Sequence, residues 1–354
     1  MSSAFDRDVW AIMGMPIDNV TLAEAARLVE RAVETGQRLS FVTPNVNWMV
    51  RALKDEQAMR QIVNADLSLA DGAPVVWLAR QLGMPLKERV AGSDLFERLR
   101  KSDPRNASPI RVFFFGGREG AAEKAHNVLC QEQGRLISVG WYNPGFGDVE
   151  SMSSDDIRDK INAANPDFVI VSLGAAKGQA WIERNQSALD APVIAHLGAV
   201  VDFVAGSIRR APQWASRHGL EWVGRILAEP SLWRRYWSDG FSLLGIVRRR
   251  LGRLKRAGRS ETVAPVESTS DGGAIKLQGD LIYANRDALK SELKSIAQNP
   301  GDCALDLSEI GAIDASALGQ VRMLEQCLMR RGNRLQILSS NRTQPVLEAA
   351  NMTV

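Results

Sequence analysis

Through the first two hundred residues, short apolar runs alternate with stretches whose apolar positions return every three or four residues. The runs are Leu39–Val42, Leu67–Ala70, Val112–Phe115, Leu136–Val139, Phe168–Ser172 and Val193–Ala195. Runs this short and this uniformly apolar predict strands buried on both faces. The 3.6-residue periodicity between them predicts helices, for example from about Gly120 to Gln133. The order predicts an α/β fold: a Rossmann-like, mostly parallel sheet with helices on both faces, spanning residues 1–206. Ligands of such sheets bind outside the carboxyl ends of the strands. Chemistry is therefore expected in the loops that begin at Thr43, Asp71 and Gly116.

The pattern changes after residue 206. Over residues 207–256, Trp233, Trp237, Phe241, Leu244, Val247, Leu251 and Leu254 recur at helical spacing, with Arg234, Arg235, Arg248 and Arg249 between them. This predicts basic helices, weakened at Gly240 and Gly245. Residues 257–273 are polar, contain Gly, Ser and Pro, and lack periodicity, so they read as a linker. Residues 274–354 start a second, small α/β domain. Its expected strands are Ile275–Gln278, Cys303–Leu307 and Arg334–Leu338, and its expected helices cover about 286–297, 316–331 and 344–350.

Composition adds an asymmetry. The chain of 354 residues has a net charge of only +3. Residues 207–260, however, hold thirteen Lys and Arg against three acidic residues, so this block carries +10 and the remainder −7. Four of the nine Trp (Trp214, Trp222, Trp233, Trp237) lie in the same block. A basic, Trp-rich block on a mildly acidic protein points to an anionic partner, a lipid surface or a nucleic acid. Cys130, Cys303 and Cys327 are widely spaced and form no CxxC, which disfavours a disulfide framework or zinc site and fits a reducing cytoplasm. No signal-peptide pattern opens the chain and no run nears the ~20 apolar residues of a membrane span, so any membrane contact is expected to be peripheral. His126, His196 and His218 are dispersed, which gives a histidine metal site or triad little support. A P-loop motif is absent.

Two readings of each candidate loop stand side by side. Gly116 and Gly117, between a strand and a helix, could let backbone N–H groups approach a phosphate; a plain tight turn explains them equally. Asp71, before Gly72 at a strand end, could accept a proton from an attacking hydroxyl; an Asp in a β-turn is the simpler account. Thr43 and Asn45 are turn formers or ligands on the same footing.

A resemblance separates these readings. Thr43 to Asn47, Asn64 to Leu67, Asp71-Gly72, Glu88 to Asp94, Phe115 to Gly117, Gly145-Phe146, Leu173-Gly174, Arg210 to Pro212, Gly219 to Trp222, Glu229-Pro230 and Arg234 to Tyr236 follow in one order. Together, over about residues 9–245, they resemble the WecG/TagA/CpsF glycosyltransferases. The resemblance implies inverting transfer, without metal or cofactor, from a UDP-sugar to a polyprenyl-diphosphate-linked acceptor for a surface or exopolysaccharide. It implies Asp71 as general base, Thr43 and Asn45 as pocket residues, and Arg89 as a donor-side arginine. Gly116, Gly117, Lys177, Arg210, Arg217 and Arg225 become candidate donor and diphosphate contacts. One stretch departs: where the family reads Gly-x-Pro-Lys-Gln-Glu-x-Trp, this chain has Gly174, Ala176, Lys177, Gly178, Gln179 and Trp181. The family's glutamine falls on Gly178. Gln179 is the nearest substitute, turned roughly 100° around a helix.

Given a lipid-linked acceptor, the basic block is expected to lie on an anionic membrane at the inner face of the cell membrane, through Trp233, Trp237, Arg234, Arg235, Arg248 and Arg249. The plainer alternative packs its apolar positions on the protein's own core. A nucleic-acid partner is not expected, since no nucleic-acid module accompanies the charge. Residues 274–354 resemble a STAS domain through Leu277 to Asp280, Leu305 to Ser308, Ile313 to Gly319 and Arg331-Gly332. That resemblance implies a protein partner and makes Ser316 a candidate phosphorylation site, against a simple helix-capping role for Asp314 or Ser316. The alternative for the whole chain is a weakly active or inactive transferase-like scaffold that recruits partners through this domain.

Overall fold

The computed structural model describes residues 4–103, 108–132, 134–207, 232–271 and 274–352. Six strands form one all-parallel sheet: β3 (Leu39–Val42), β4 (Leu67–Ser68), β5 (Ile110–Gly116), β6 (Leu136–Tyr142), β7 (Phe168–Ser172) and β8 (Val193–His196), in the order β4-β3-β8-β7-β5-β6. The apolar runs are uniform because both faces are covered. Val112 and Phe114 pack on one side with Phe41, Phe168 and Ile170. Phe113 and Phe115 pack on the other with Val169, Val171 and Trp181. Burying each such aromatic contributes roughly 1.5–3 kcal/mol. Among the described residues eight α-helices precede β8 and one follows it. They are α1 (Leu22–Thr35), α2 (Val46–Ala52), α3 (Glu56–Val63), α4 (Ala73–Gln81), α5 (Gly92–Arg100), α6 (Ala121–Gln131) and α7 (Asp155–Ala163); α8 (Ala175–Asn185) and α9 (Gly198–Val204) flank β8. Helix α1 opens with a capping box between Thr21 and Glu24 and closes at Gly36 in the left-handed region.

A hairpin precedes this sheet, a feature the apolar pattern did not reveal. Strands β1 (Val9–Ile12) and β2 (Met15–Asp18) pair antiparallel around Met13 and Gly14, both at positive φ. Two positive-φ residues match the right-handed strand twist. Every residue of both strands is buried.

The expected helices of the basic block appear as α10 (Leu232–Ile246), a π-helical turn (Val247–Leu251) and α11 (Gly252–Ala257). Gly240 and Gly245 do not interrupt α10. Residues 208–231 lie outside the described residues, and with them Arg210, Arg217 and Arg225.

The C-terminal unit is a four-stranded sheet, β12-β11-β10-β9, formed by β9 (Glu267–Asp271), β10 (Ala274–Leu281), β11 (Cys303–Ile313) and β12 (Leu335–Leu338). Helices α12 (Arg286–Ile296), α13 (Ala315–Met329) and α14 (Gln344–Ala349) complete it. Strand β9 corrects part of the linker expectation. Its side chains are all polar, yet its backbone pairs antiparallel with β10 from Glu267 to Asp271. The unit is not tethered loosely. Helix α13 is buried along nearly its whole length and packs on β1, where a Cβ at Gly319 would lie 2.3 Å from the Val9 carbonyl oxygen. Arg322 donates from Nε to the Gly14 carbonyl (3.0 Å) and from Nη2 to the Asn351 carbonyl (2.7 Å). Gln326 donates to the carbonyls of Val63 (2.6 Å) and Ala65 (2.7 Å). Trp10 stacks on Tyr283 at 5.3 Å. One apolar core therefore runs from the hairpin through α3 into the C-terminal unit.

Candidate active site

A cavity of about 690 Å³ opens at the carboxyl end of the six-stranded sheet. Each strand sends its following loop there: Thr43 and Asn45 after β3, Asp71 after β4, Gly117 after β5, Gly145 and Phe146 after β6, Ser172 to Gly174 after β7, and Leu197 and Gly198 after β8. This is where an open parallel sheet places ligands.

Asp71 sits between two of these loops. Its N–H donates to the Pro44 carbonyl (3.1 Å), which ties it to the Thr43 loop. Gly72 (φ 90°) then turns the chain, and Pro74 in the first turn of α4 starts the helix. Arg89 pairs with Asp71 (Nη1 to Oδ1, 3.4 Å) and with Asp94 in the first turn of α5 (Nη2 to Oδ2, 2.8 Å). Its guanidinium is thus engaged by two carboxylates, and it does not line the cavity. These pairs place its guanidinium beside the Asp71 carboxylate. Thr43 lines the cavity beside Gly92, where a Cβ would lie 3.2 Å from the Thr43 methyl. Asn45 also lines it, and its Oδ1 caps α2 by accepting from the N–H groups of Asn47 (3.1 Å) and Trp48 (3.3 Å). Both of its expected roles, turn former and pocket residue, therefore coexist.

The glycine turn reads more as packing than as a phosphate cradle. The Gly117 N–H donates to the Ser172 carbonyl (2.7 Å), so that donor is spent within the protein. Gly116 (φ 87°) brings its Cα against the same carbonyl, where a Cβ would approach to 2.7 Å. Positive charge at the cavity comes instead from Lys177, which donates to the Gly147 carbonyl, and from Arg118, 3.9 Å from Asp202. Arg118 and Asp202 carry no motif that sequence reasoning could have singled out. Phe146 stands fully exposed at the mouth.

Gln179 does not substitute for the missing glutamine. It is buried on the other side of α8 and lines a separate small pocket with Ser40, Gln61 and Glu183. The space beside Gly178 is taken by His196, whose Cδ2 would lie 2.2 Å from a Cβ there. Trp181 is structural: its Nε1 donates to the Met152 carbonyl (2.7 Å) and its ring stacks on Phe115 at 4.2 Å. Among the described residues, no group of three His, Cys, Asp or Glu could hold a metal ion.

The basic block abuts the cavity. Asn47, a lining residue, donates from Nδ2 to Asp239 in α10 (3.1 Å). The apolar positions of the block divide. Val247 packs on the core and Leu251 and Leu254 are buried in it, whereas Trp233, Trp237, Phe241 and Leu244 are about half to two-thirds exposed. Spacings of four, four and three residues put those four on one stripe of the helix. The Arg234 guanidinium lies over Trp233 (5.7 Å), and Arg248 and Arg249 are exposed at the end of the stripe. Among the described residues no helix is long and apolar enough to cross a membrane.

An all-parallel α/β sheet with a cleft at its carboxyl end and an ion-paired carboxylate lining it is the arrangement of a ligand-binding α/β protein. The particular family follows from comparison: residues 10–257 match the model of the glycosyl transferase WecG/TagA/CpsF family, and the chain belongs to that family of glycosyltransferases. It is similar to an N-acetylglucosaminyldiphosphoundecaprenol N-acetyl-beta-D-mannosaminyltransferase of Bacillus spizizenii, 30% identical over 223 residues, which is 63% of this chain and 84% of that protein. Proteins of the same name from Bacillus subtilis (28% over 203 residues, 57% of this chain and 76% of theirs) and Staphylococcus aureus (26% over 227 residues, 63% and 85%) are similar as well. The family match ends at residue 257, before the C-terminal unit.

Proposed function

We propose that this chain transfers an N-acetylhexosamine-type sugar from a UDP-sugar to a polyprenyl-diphosphate-linked acceptor, with inversion, in the synthesis of a surface or exopolysaccharide. The carrying observation is the Asp71 carboxylate, oriented by Arg89 within a cleft lined by all six strand ends. The acceptor hydroxyl attacks the anomeric carbon while its proton passes to Asp71. The bond from that carbon to the diphosphate breaks, and UDP leaves with the electron pair. A single displacement with one base inverts the centre. Lys177 and Arg118, joined by Arg210, Arg217 and Arg225, neutralise the leaving diphosphate without a metal.

The acceptor class also accounts for α10. Its exposed Trp233, Trp237, Phe241 and Leu244 enter the headgroup region while Arg234, Arg235, Arg248 and Arg249 meet anionic lipid, at ~1 kcal/mol for each basic group. The protein then sits peripherally on the inner face, with its cleft beside the bilayer. The C-terminal unit reads as STAS-like and regulatory. Ser316 is buried in the docked arrangement, so phosphorylation there would require the unit to lift off the hairpin.

The test is turnover of the full chain with a panel of UDP-sugars and short-chain polyprenyl-diphosphate acceptors, in EDTA. UDP release with a glycolipid heavier by one sugar is expected. Absence of product across the panel, with UDP still bound, would overturn the enzymatic reading in favour of a scaffold.

A further inference from the structure

His196 ends β8, a central strand of the parallel sheet, and its ring lines the cleft floor. The ring lies between two glycines. A Cβ at Gly178 would come within 2.2 Å of Cδ2 and 3.0 Å of Nε2, and one at Gly198 within 3.3 Å of Cε1. Nε2 is buried and has no hydrogen-bond partner among the described residues. Nδ1, unlike Nε2, is not among the buried atoms left without a partner, and the residue borders the open cavity.

Burial, and next the Arg51 charge, hold the His196 pKa down at about 4, so the ring is neutral at pH 7. The buried Nε2 has no acceptor within reach among the described residues, so a hydrogen placed there would be left unpaired. A hydrogen on Nδ1 is the arrangement able to meet a ligand in the cleft.

We propose that His196 is a donor-site contact whose Nδ1–H hydrogen bonds an oxygen of the nucleotide sugar, and that Gly178 is required for the ring to occupy that place. The proposal rests on reading the cleft as the UDP-sugar site. It gives this chain a polar group at the cleft floor supplied from a strand end rather than from α8.

The test uses full-length protein labelled with ¹⁵N. The three histidines allow imidazole nitrogen signals to be resolved, and His196 is assigned by its loss in His196→Asn. The expected spectrum shows a neutral ring protonated at Nδ1, with that signal shifting on saturation with a UDP-sugar. Calorimetry adds a split between variants. His196→Leu fills the space without a donor and is expected to weaken nucleotide-sugar binding about tenfold. His196→Asn keeps a donor near the Nδ1 position and should retain most of the affinity. A loss seen already with UDP alone puts the partner oxygen on the diphosphate, and a loss confined to the UDP-sugar puts it on the sugar. Unmoved ring signals at saturation, with both variants binding within twofold of the parent, would make His196 a packing plug and overturn the proposal while the transferase reading stands. If the parent chain binds no nucleotide sugar, both fall together.

Discussion

Two buried polar side chains at the seam beneath the C-terminal unit, Arg322 and Gln326, and the buried His196 Nε2 at the cleft floor are treated in opposite ways. At the seam, Arg322 and Gln326 reach four backbone carbonyls between them, and Arg7 donates to the Gln326 Oε1 at 3.2 Å. At the cleft floor, the His196 Nε2 has no partner among the described residues. A satisfied buried network rigidifies a contact, whereas an incomplete one carries a standing cost. Glycines follow the same division. Gly319 admits a neighbouring backbone, and Gly178 admits a functional ring.

The contrast breaks most sharply at Asp71. Asp71→Asn is expected to lower turnover about 10²–10⁴-fold, the usual worth of a general base, with an unchanged unfolding midpoint. An equal loss of stability would move Asp71 from chemistry to structure. The largest expected effect at the seam is Gly319→Ala. Its new methyl meets the Val9 backbone, which cannot rotate away, so about 3 kcal/mol of stability should be lost in urea unfolding while the unit detaches from the hairpin. Gln326→Leu keeps the volume but orphans the Val63 carbonyl and removes an acceptor of Arg7, while the Ala65 carbonyl keeps its bond from Arg7; a loss of about 2 kcal/mol is expected by the same measurement.

The smallest effect tests a capping group outside both regions. Hydrogen bonds from the Thr21 N–H and then Lys87 lower the Glu24 pKa from 4.5 to about 2. A depressed folded-state pKa gives stability that is present above the unfolded value and lost as pH falls. Glu24→Gln should therefore unfold below the parent's melting temperature at pH 7, and the gap should narrow from about pH 4.5 downward, closing near pH 2. A gap independent of pH would assign the effect to packing.

The parallel sheet was legible because strands covered on both faces read as plain apolar runs. Phe168–Ser172 was read to the residue. The hairpin was not legible, because its turn uses Met13-Gly14 in place of the Asn-Gly or Asp-Gly that normally marks such a turn. Strand β9 was hidden for another reason: Glu267–Asp271 pairs through backbone alone, and its side chains are those of a linker. Within the cleft, Thr43, Asn45, Asp71, Gly117 and Lys177 were named from motifs and come together. His196 was missed because a lone histidine at a strand end carries no signal until Gly178, on the adjacent helix, is seen to make room for it. Gln179 was misplaced by one step of helical rotation. The tripeptide Asp6-Arg7-Asp8 pairs with Lys294, Asp18 and Arg286 and so helps hold the seam.

The seam also sets an order of events during synthesis. Val9 and Trp10 are synthesised well before their partners Gly319 and Tyr283, which lie some three hundred residues later. At 5–20 residues per second that interval lasts roughly 15–60 s. Throughout it the apolar side of the hairpin that faces α13 has no native cover. The nascent chain must therefore carry an uncovered apolar hairpin until residues 274–352 emerge, which makes the hairpin a natural substrate for a holding chaperone.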